Sequence, residues 1–241
     1  MGAMGLRETK KQQTRTAIAD AALPLFLAHG FDRVTVAEVA RHAGVSTNTV
    51  FNYFPTKEDL FFDRQSEVEQ YLAALVDPLP PGACCPAAAV RDDLCAALGR
   101  GDPALGLGPG AADFFRTVEA SPALRARERE IGERVETALA AALPPSPTAP
   151  LLAGALAGLH RATLRELRRR VLAGDPPPTV AADLTAATTA AFAPLCPCQA
   201  ASSGSVGRWS GCAVDRCAVG ADRAAAPGPE AEAGRPPAGP S

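Results

Sequence analysis

Residues 35–60, TVAEVARHAGVSTNTVFNYFPTKEDL, start three helices in such quick succession that neither a strand nor one long helix fits. Thr35 stands where an N-cap belongs, and Glu38 follows three residues later. This is the pattern of a capping box, in which each side chain takes the other's orphan backbone N–H. Val34 and Val39 occupy the staple positions on either side. Gly44 supplies a residue that can take φ > 0 in a sharp reversal. Ser46 caps the next helix, with Val45 and Val50 as its staple. Pro55 ends that helix, and Thr56 with Asp59 opens a third. A short helix, a tight turn and a second short helix form a helix-turn-helix.

The faces of these helices divide by chemistry. Val36, Val39 and Ala40 form an inward face on the first, and Val50, Phe51 and Phe54 on the second. Opposite them stand Asn48 and Asn52, flanked by Thr49 and Tyr53. Amides can read base edges and hydroxyls can bond phosphates, so this stripe suits the major groove of DNA. Lys57 lies in the first turn of the third helix, where its charge and the free backbone N–H groups favour an anion.

The chain has 241 residues and a formal net charge of −2, so DNA affinity must come from a local surface. Arg7, Lys10, Lys11 and Arg15 supply one candidate. Much of the 47% hydrophobic content is alanine, which predicts close-packed helices and a thin core. No apolar segment follows the polar start, and the run from Ala149 to Leu159 is too short to span a bilayer. The reading is a soluble, cytoplasmic protein with free thiols among its seven cysteines.

Helical periodicity predicts a helix over 8–29, with Ile18, Ala22, Leu25, Phe26 and His29 on one face. Pro24 lies inside it and removes one hydrogen bond. A long amphipathic helix is predicted over 57–76 through Leu60, Phe61, Val68, Tyr71, Leu72 and Leu75. Further helices are expected at 86–99, 111–120, 122–143, 149–173 and 178–193. The fold class is all-α. Residues 1–56 form the helix-turn-helix domain and residues 57–194 a helical body. Residues 195–241, rich in Ala, Gly, Pro, Ser and Arg, read as a disordered tail or as the product of a shifted reading frame.

Residues 10–60 resemble the N-terminal domain of the TetR/AcrR family of transcriptional regulators. The matching pieces are AALPLFLAHGFDRVTV, AEVARHAGVSTNTVFNYF and PTKEDLF. The resemblance implies a three-helix DNA-binding head, a helical effector-binding and dimerisation body, and a homodimer on a palindromic operator. It implies phosphate contacts from Thr35, Ser46, Thr49, Tyr53 and Lys57, and base contacts from Thr47, Asn48 and Asn52. The chain departs from the family at Asn48, where glycine is frequent, and at Pro24. The last two helices before the tail would form a four-helix dimer interface. Ala153, Gly154, Ala157 and Gly158 would permit close approach there, with packing inside the chain as the plainer reading.

Beyond residue 77 no motif has comparable strength. An unknown small-molecule effector would sit in the body, with Phe114, Phe115, Val118, Leu139, Leu156 and His160 as lining candidates. For each, plain core is the simpler role. The cysteine spacings at 196, 198, 212 and 217 do not suit a metal site. No paired acid and base, no phosphate loop and no catalytic constellation is present, so no cofactor and no enzymatic activity are expected. A regulator that works without an effector, as an activator or a constitutive repressor, is the alternative.

Overall fold

The computed structural model describes residues 6–77 and 85–196, with the backbone alone at residues 6 and 7. The expected linker at 78–84, Cys84 and the tail beyond residue 196, with its three cysteines, lie outside the described residues. No strand occurs among those described. Ten α-helices follow in order: α1 (Leu6–His29), α2 (Val36–His42), α3 (Thr47–Tyr53), α4 (Lys57–Phe61), α5 (Gln65–Val76), α6 (Pro86–Gly99), α7 (Ala111–Ala120), α8 (Pro122–Ala142), α9 (Ala149–Ala173) and α10 (Pro177–Phe192). No described helix is long and apolar enough to cross a membrane.

The first core joins Ile18, Ala22 and Phe26 of α1 to Val39, Val50, Phe54, Leu60 and Phe61 of the next three helices. It also takes in Val118 of α7 and Leu124 of α8, so the first four helices and the middle of the chain share one apolar cluster. Phe61 stacks on Phe114, with ring centroids 4.7 Å apart. A second core gathers Leu72, Val90, Leu139, Leu156 and Phe192 from α5, α6, α8, α9 and α10. A third holds Leu94, Leu98, Phe115, Leu167, Val180 and Leu184. Arg168 of α9 ties three helices together through Glu119 of α7 and Glu128 of α8, with its guanidinium 5.1 Å from the Phe115 ring.

Four expectations are corrected. The helix predicted over 57–76 is two helices. The chain leaves α geometry at Phe62 (φ −102°, ψ 54°) and resumes at Gln65. Arg15 of α1 donates to the freed Asp63 carbonyl at 2.9 Å, and Arg127 of α8 donates to the Gln65 side chain at 2.9 Å. The same Arg127 pairs with Asp59 of α4, so tertiary hydrogen bonds hold an elbow that local periodicity does not announce. The break also turns α5, which buries Leu72, Ala73 and Val76 while Val68 and Tyr71 are exposed.

In α1, Ile18, Ala22 and Phe26 are fully buried, but His29 is exposed. The helix runs unbroken past Pro24, which lies on its solvent side. Of the four small residues expected at a helix–helix approach, Ala153 and Ala157 are buried in the chain's own second core. A Cβ at Gly154 would lie 3.2 Å from Glu136 of α8, while Gly158 faces open space. Finally, Cys196, grouped by composition with the tail, is fully buried, and its Sγ lies 3.7 Å from Nη1 of Arg91.

Candidate nucleic-acid interface

The helix-turn-helix is built as its caps dictate. Thr35 Oγ1 accepts from the Glu38 N–H at 3.2 Å, and Glu38 Oε2 accepts from the Thr35 N–H at 2.8 Å. These bonds hold the Glu38 carboxyl below the ordinary carboxylate range, the backbone bond contributing most. Gly44 takes φ +67° in the turn, and Val45 N–H donates back to the Ala40 carbonyl at 3.0 Å. Ser46 Oγ then accepts from the Thr49 N–H at 3.0 Å, and the two hydroxyls lie 2.8 Å apart. Val50 and Phe54 are fully buried and seat α3 on α1 and α2.

With α3 seated in this way, Thr47, Asn48 and Asn52 are exposed and their side chains make no hydrogen bond among the described residues. Phe51 is 46% exposed and lies on their side, not in the core as its wheel position predicts. It stands four residues after Thr47 and three after Asn48, which puts it on their face of the helix. Sequence reasoning missed it because an aromatic residue beside Val50 reads as core. The spacing from Thr47 and Asn48 was the signal that could have found it.

The flanking candidates divide by how free their donors are. Thr35, Ser46 and Thr49 are at the helix starts, with their hydroxyls engaged in the caps. Tyr53 is half-buried beside the first core. Lys57 Nζ donates to the carbonyls of Phe31 at 2.9 Å and Val34 at 3.2 Å, and sits 4.3 Å from the Phe31 ring centroid. One of the three ammonium N–H groups is then left for an anion. Lys10 and Lys11 are exposed. Arg15 instead turns inward, donating to the Tyr53 carbonyl at 2.9 Å with its guanidinium 4.2 Å from the Phe54 ring centroid. It is a strut for the end of α3.

The six residues expected at an effector pocket do not converge, and Leu139 lies in the second core. Val118 belongs to the first core, Phe115 to the third and Leu156 to the second, while Phe114 packs between the first and third. His160 stands apart, its ring centroid 6.4 Å from that of Tyr71, whose hydroxyl donates to Asp93. Burial lowers the His160 pKa to about 4. Among the described residues no group of three or more His, Cys, Asp or Glu could hold a metal ion.

Residues 18–63 match the sequence model of the bacterial regulatory proteins of the tetR family. Over 139 residues the chain is 33% identical to the HTH-type transcriptional regulator TcmR of Streptomyces glaucescens, an overlap of 56% of this chain and 61% of that protein. Over 57 residues it is 40% identical to the HTH-type transcriptional regulator AcrR of Shigella flexneri, covering 23% of this chain and 26% of that one. The chain thus spans less than two thirds of the length of these curated relatives. Among solved structures it is similar in fold to native NalD, the secondary repressor of the MexAB-OprM multidrug efflux pump in Pseudomonas aeruginosa. That likeness has a TM-score of 0.52 at 21% identity and covers 75% of this chain and 96% of the other.

Proposed function

Since this chain is a member of the TetR/AcrR family of regulators, we propose that it binds DNA as a homodimer on a palindromic operator and represses transcription until an effector releases it. The observation that carries the reading is the outward face of α3. A helix fixed by a capped turn and a buried apolar side presents Thr47, Asn48 and Asn52 with their hydrogen-bonding groups free. In the major groove the amides of Asn48 and Asn52 pair with adenine edges and Thr47 bonds to a neighbouring base. Phe51 adds an apolar contact of the kind that a thymine methyl takes. Thr35, Ser46, Thr49, Tyr53 and Lys57 flank this face as phosphate contacts that set its register.

Dimerisation is assigned to the outer faces of α9 and α10. Leu151 is 74% exposed, and Ala162, Ala182, Ala186 and Ala190 are exposed with it. Small side chains let two helix pairs approach closely, and two copies would set two α3 helices one helical turn of DNA apart. An effector that favours a different separation of the heads then lowers operator affinity.

The test is selection of bound duplexes from a random-sequence library by the purified full chain, followed by titration of the enriched sequence. A two-fold symmetric site bound by two copies supports the reading. Enrichment of nothing, or of an unpaired site by a single copy, overturns it. The alternative of a regulator that needs no effector is favoured by the division of Phe114, Phe115, Val118 and Leu156 among filled cores. Operator affinity that stays flat across a broad screen of small molecules would select that alternative.

A further inference from the structure

Tyr71, Asp93 and His160 form a polar group where the second and third cores meet. Asp93 of α6 lies between Val90 of the second core and Leu94 of the third. His160 of α9 has Leu156 of the second core four residues before it and Leu164, packed on the third, four residues after. Tyr71 reaches the same seam from α5. Its hydroxyl donates to Asp93, and its ring centroid lies 6.4 Å from that of His160. Tyr71 is 40% exposed and Val68, one turn earlier, is 51% exposed, so the seam is reached from solvent past an apolar rim.

The chemistry of the seam is one-sided. Asp93 forms no ion pair among the described residues, while Arg100 is drawn to Asp102 at 3.4 Å. Asp93, Asp102 and Arg100 all act on Tyr71, which leaves one negative charge in excess. Burial, with the bond to Asp93 next, raises the pKa of the Tyr71 phenol, so it keeps its proton and its oxygen can accept. Burial lowers the His160 pKa to about 4, so its ring is neutral at neutral pH and does not balance Asp93. That ring makes no hydrogen bond among the described residues, and a neutral imidazole keeps one acceptor nitrogen. The face of a tyrosine ring attracts a cation. A carboxylate, a phenol oxygen, an imidazole nitrogen and an aromatic face together favour a positively charged hydrogen-bond donor, and no cation among them is left for an anion.

We propose that Tyr71, Asp93 and His160 bind an organic ammonium ion as effector, with its N–H groups on the Asp93 carboxylate, its charge over the Tyr71 ring and its apolar body against Val68. α5 continues from the elbow after α4, so a ligand that joins α5 to α6 and α9 acts on the helix next to the DNA reader. The effector role rests on the ligand-responsive reading above; the binding itself does not.

Naphthylmethylamine and naphthylmethanol share a ring system and differ in charge at neutral pH. Their fluorescence reads binding to the full chain with no DNA present. The amine is expected to bind saturably and at least about tenfold more tightly than the alcohol, the difference that a hydrogen bond to a charged group carries. Asp93→Asn keeps an acceptor for Tyr71 and should remove that preference. Tyr71→Leu should weaken the amine about two- to fivefold through loss of the ring face. Glu133→Gln, on the exposed side of α8, controls for the loss of one negative charge and should leave both affinities as they are. Urea melts check that each variant is folded. An amine that binds no better than the alcohol, or a preference that survives Asp93→Asn, overturns the site. The amine should also lower the affinity of the parent for its selected duplex at least about fivefold. Amine binding with operator affinity unchanged overturns the effector role and keeps the site. A parent that selects no duplex removes the DNA-binding reading and leaves the fluorescence result to decide this one.

Discussion

Asn52 and Phe51 adjoin one another on α3 and are exposed for different chemical reasons, so their removal should be felt differently. Asn52→Ala is expected to cost about 1–3 kcal/mol on the selected operator and to relax the preference at one base pair. Phe51→Ala should leave stability within about 0.5 kcal/mol, because a half-exposed ring contributes little to the core. It should nonetheless weaken discrimination at a thymine. Binding assays against single-base operator variants, paired with urea unfolding, check both. Lys57 has a double part. Its bonds to the Phe31 and Val34 carbonyls tie α4 to the loop before α2. Lys57→Met should therefore lower unfolding free energy by about 1–3 kcal/mol, besides removing a charge from the proposed DNA face. An unfolding midpoint equal to the parent's would count against the structural part. Gly106 is equally constrained: its φ is +89°, and a Cβ there would overlap the Phe115 ring. Gly106→Ala should destabilise by more than about 1 kcal/mol, read from the same unfolding curves.

Among the elements, the caps carry a pH signature. Hydrogen bonds from Thr35 lower the Glu38 carboxyl. At Asp59 burial pushes upward but is outweighed by bonds from Thr56 and Arg127, so its carboxyl too is lowered. A carboxylate depressed in the folded state stabilises at neutral pH, and that contribution is lost as pH falls through the acid range, below about pH 4. Half-buried His160 acts in a higher window. Its folded pKa of about 4 is below its unfolded value, so the unfolded chain binds the proton first and stability falls as pH drops from about 6.5 to 4. Asp59→Asn should flatten the lower part of the stability profile and His160→Gln the upper part, in urea melts taken at half-unit pH steps. The caps were legible in the sequence because each is spelled within four residues. The elbow between α4 and α5 was not. Phe61, Phe62 and the apolar residues after them keep helical spacing across it, and the bonds that favour the break come from Arg15 and Arg127, far away in the chain. The inward turn of Arg15 was hidden for the same reason: a basic residue near a DNA-reading helix looks like a phosphate contact until the carbonyls it caps are in view.

For the whole molecule, the boundaries of the long body helices follow Pro and Gly breaks and could be read directly, since a proline in the first turn or a left-handed glycine after the last is a local matter. Which faces meet could not be read, because alanine is compatible with both core and surface. Ala153 is buried inside the chain and Ala186 faces out, yet their sequence surroundings are alike. Leu151→Glu together with Ala186→Glu should convert the proposed dimer to monomer in sedimentation velocity, with operator affinity falling at least about a hundredfold while each chain stays folded. A dimer that survives both charges would require a different interface.

The first core, which runs from α1 through Phe61 to Val118 and Leu124, also bears on protein engineering. Residues 1–56 look like a portable cassette, yet a chimaera cut there would leave Arg15 without the Asp63 carbonyl and Phe26 without its neighbour Phe61. Hybrid sensors made by grafting this DNA reader onto a foreign body should work when the donor segment extends through the elbow at residues 62–64 and the recipient offers apolar side chains where Phe114, Val118 and Leu124 stand. Grafts that end at the last residue of the helix-turn-helix should express as unstable hybrids.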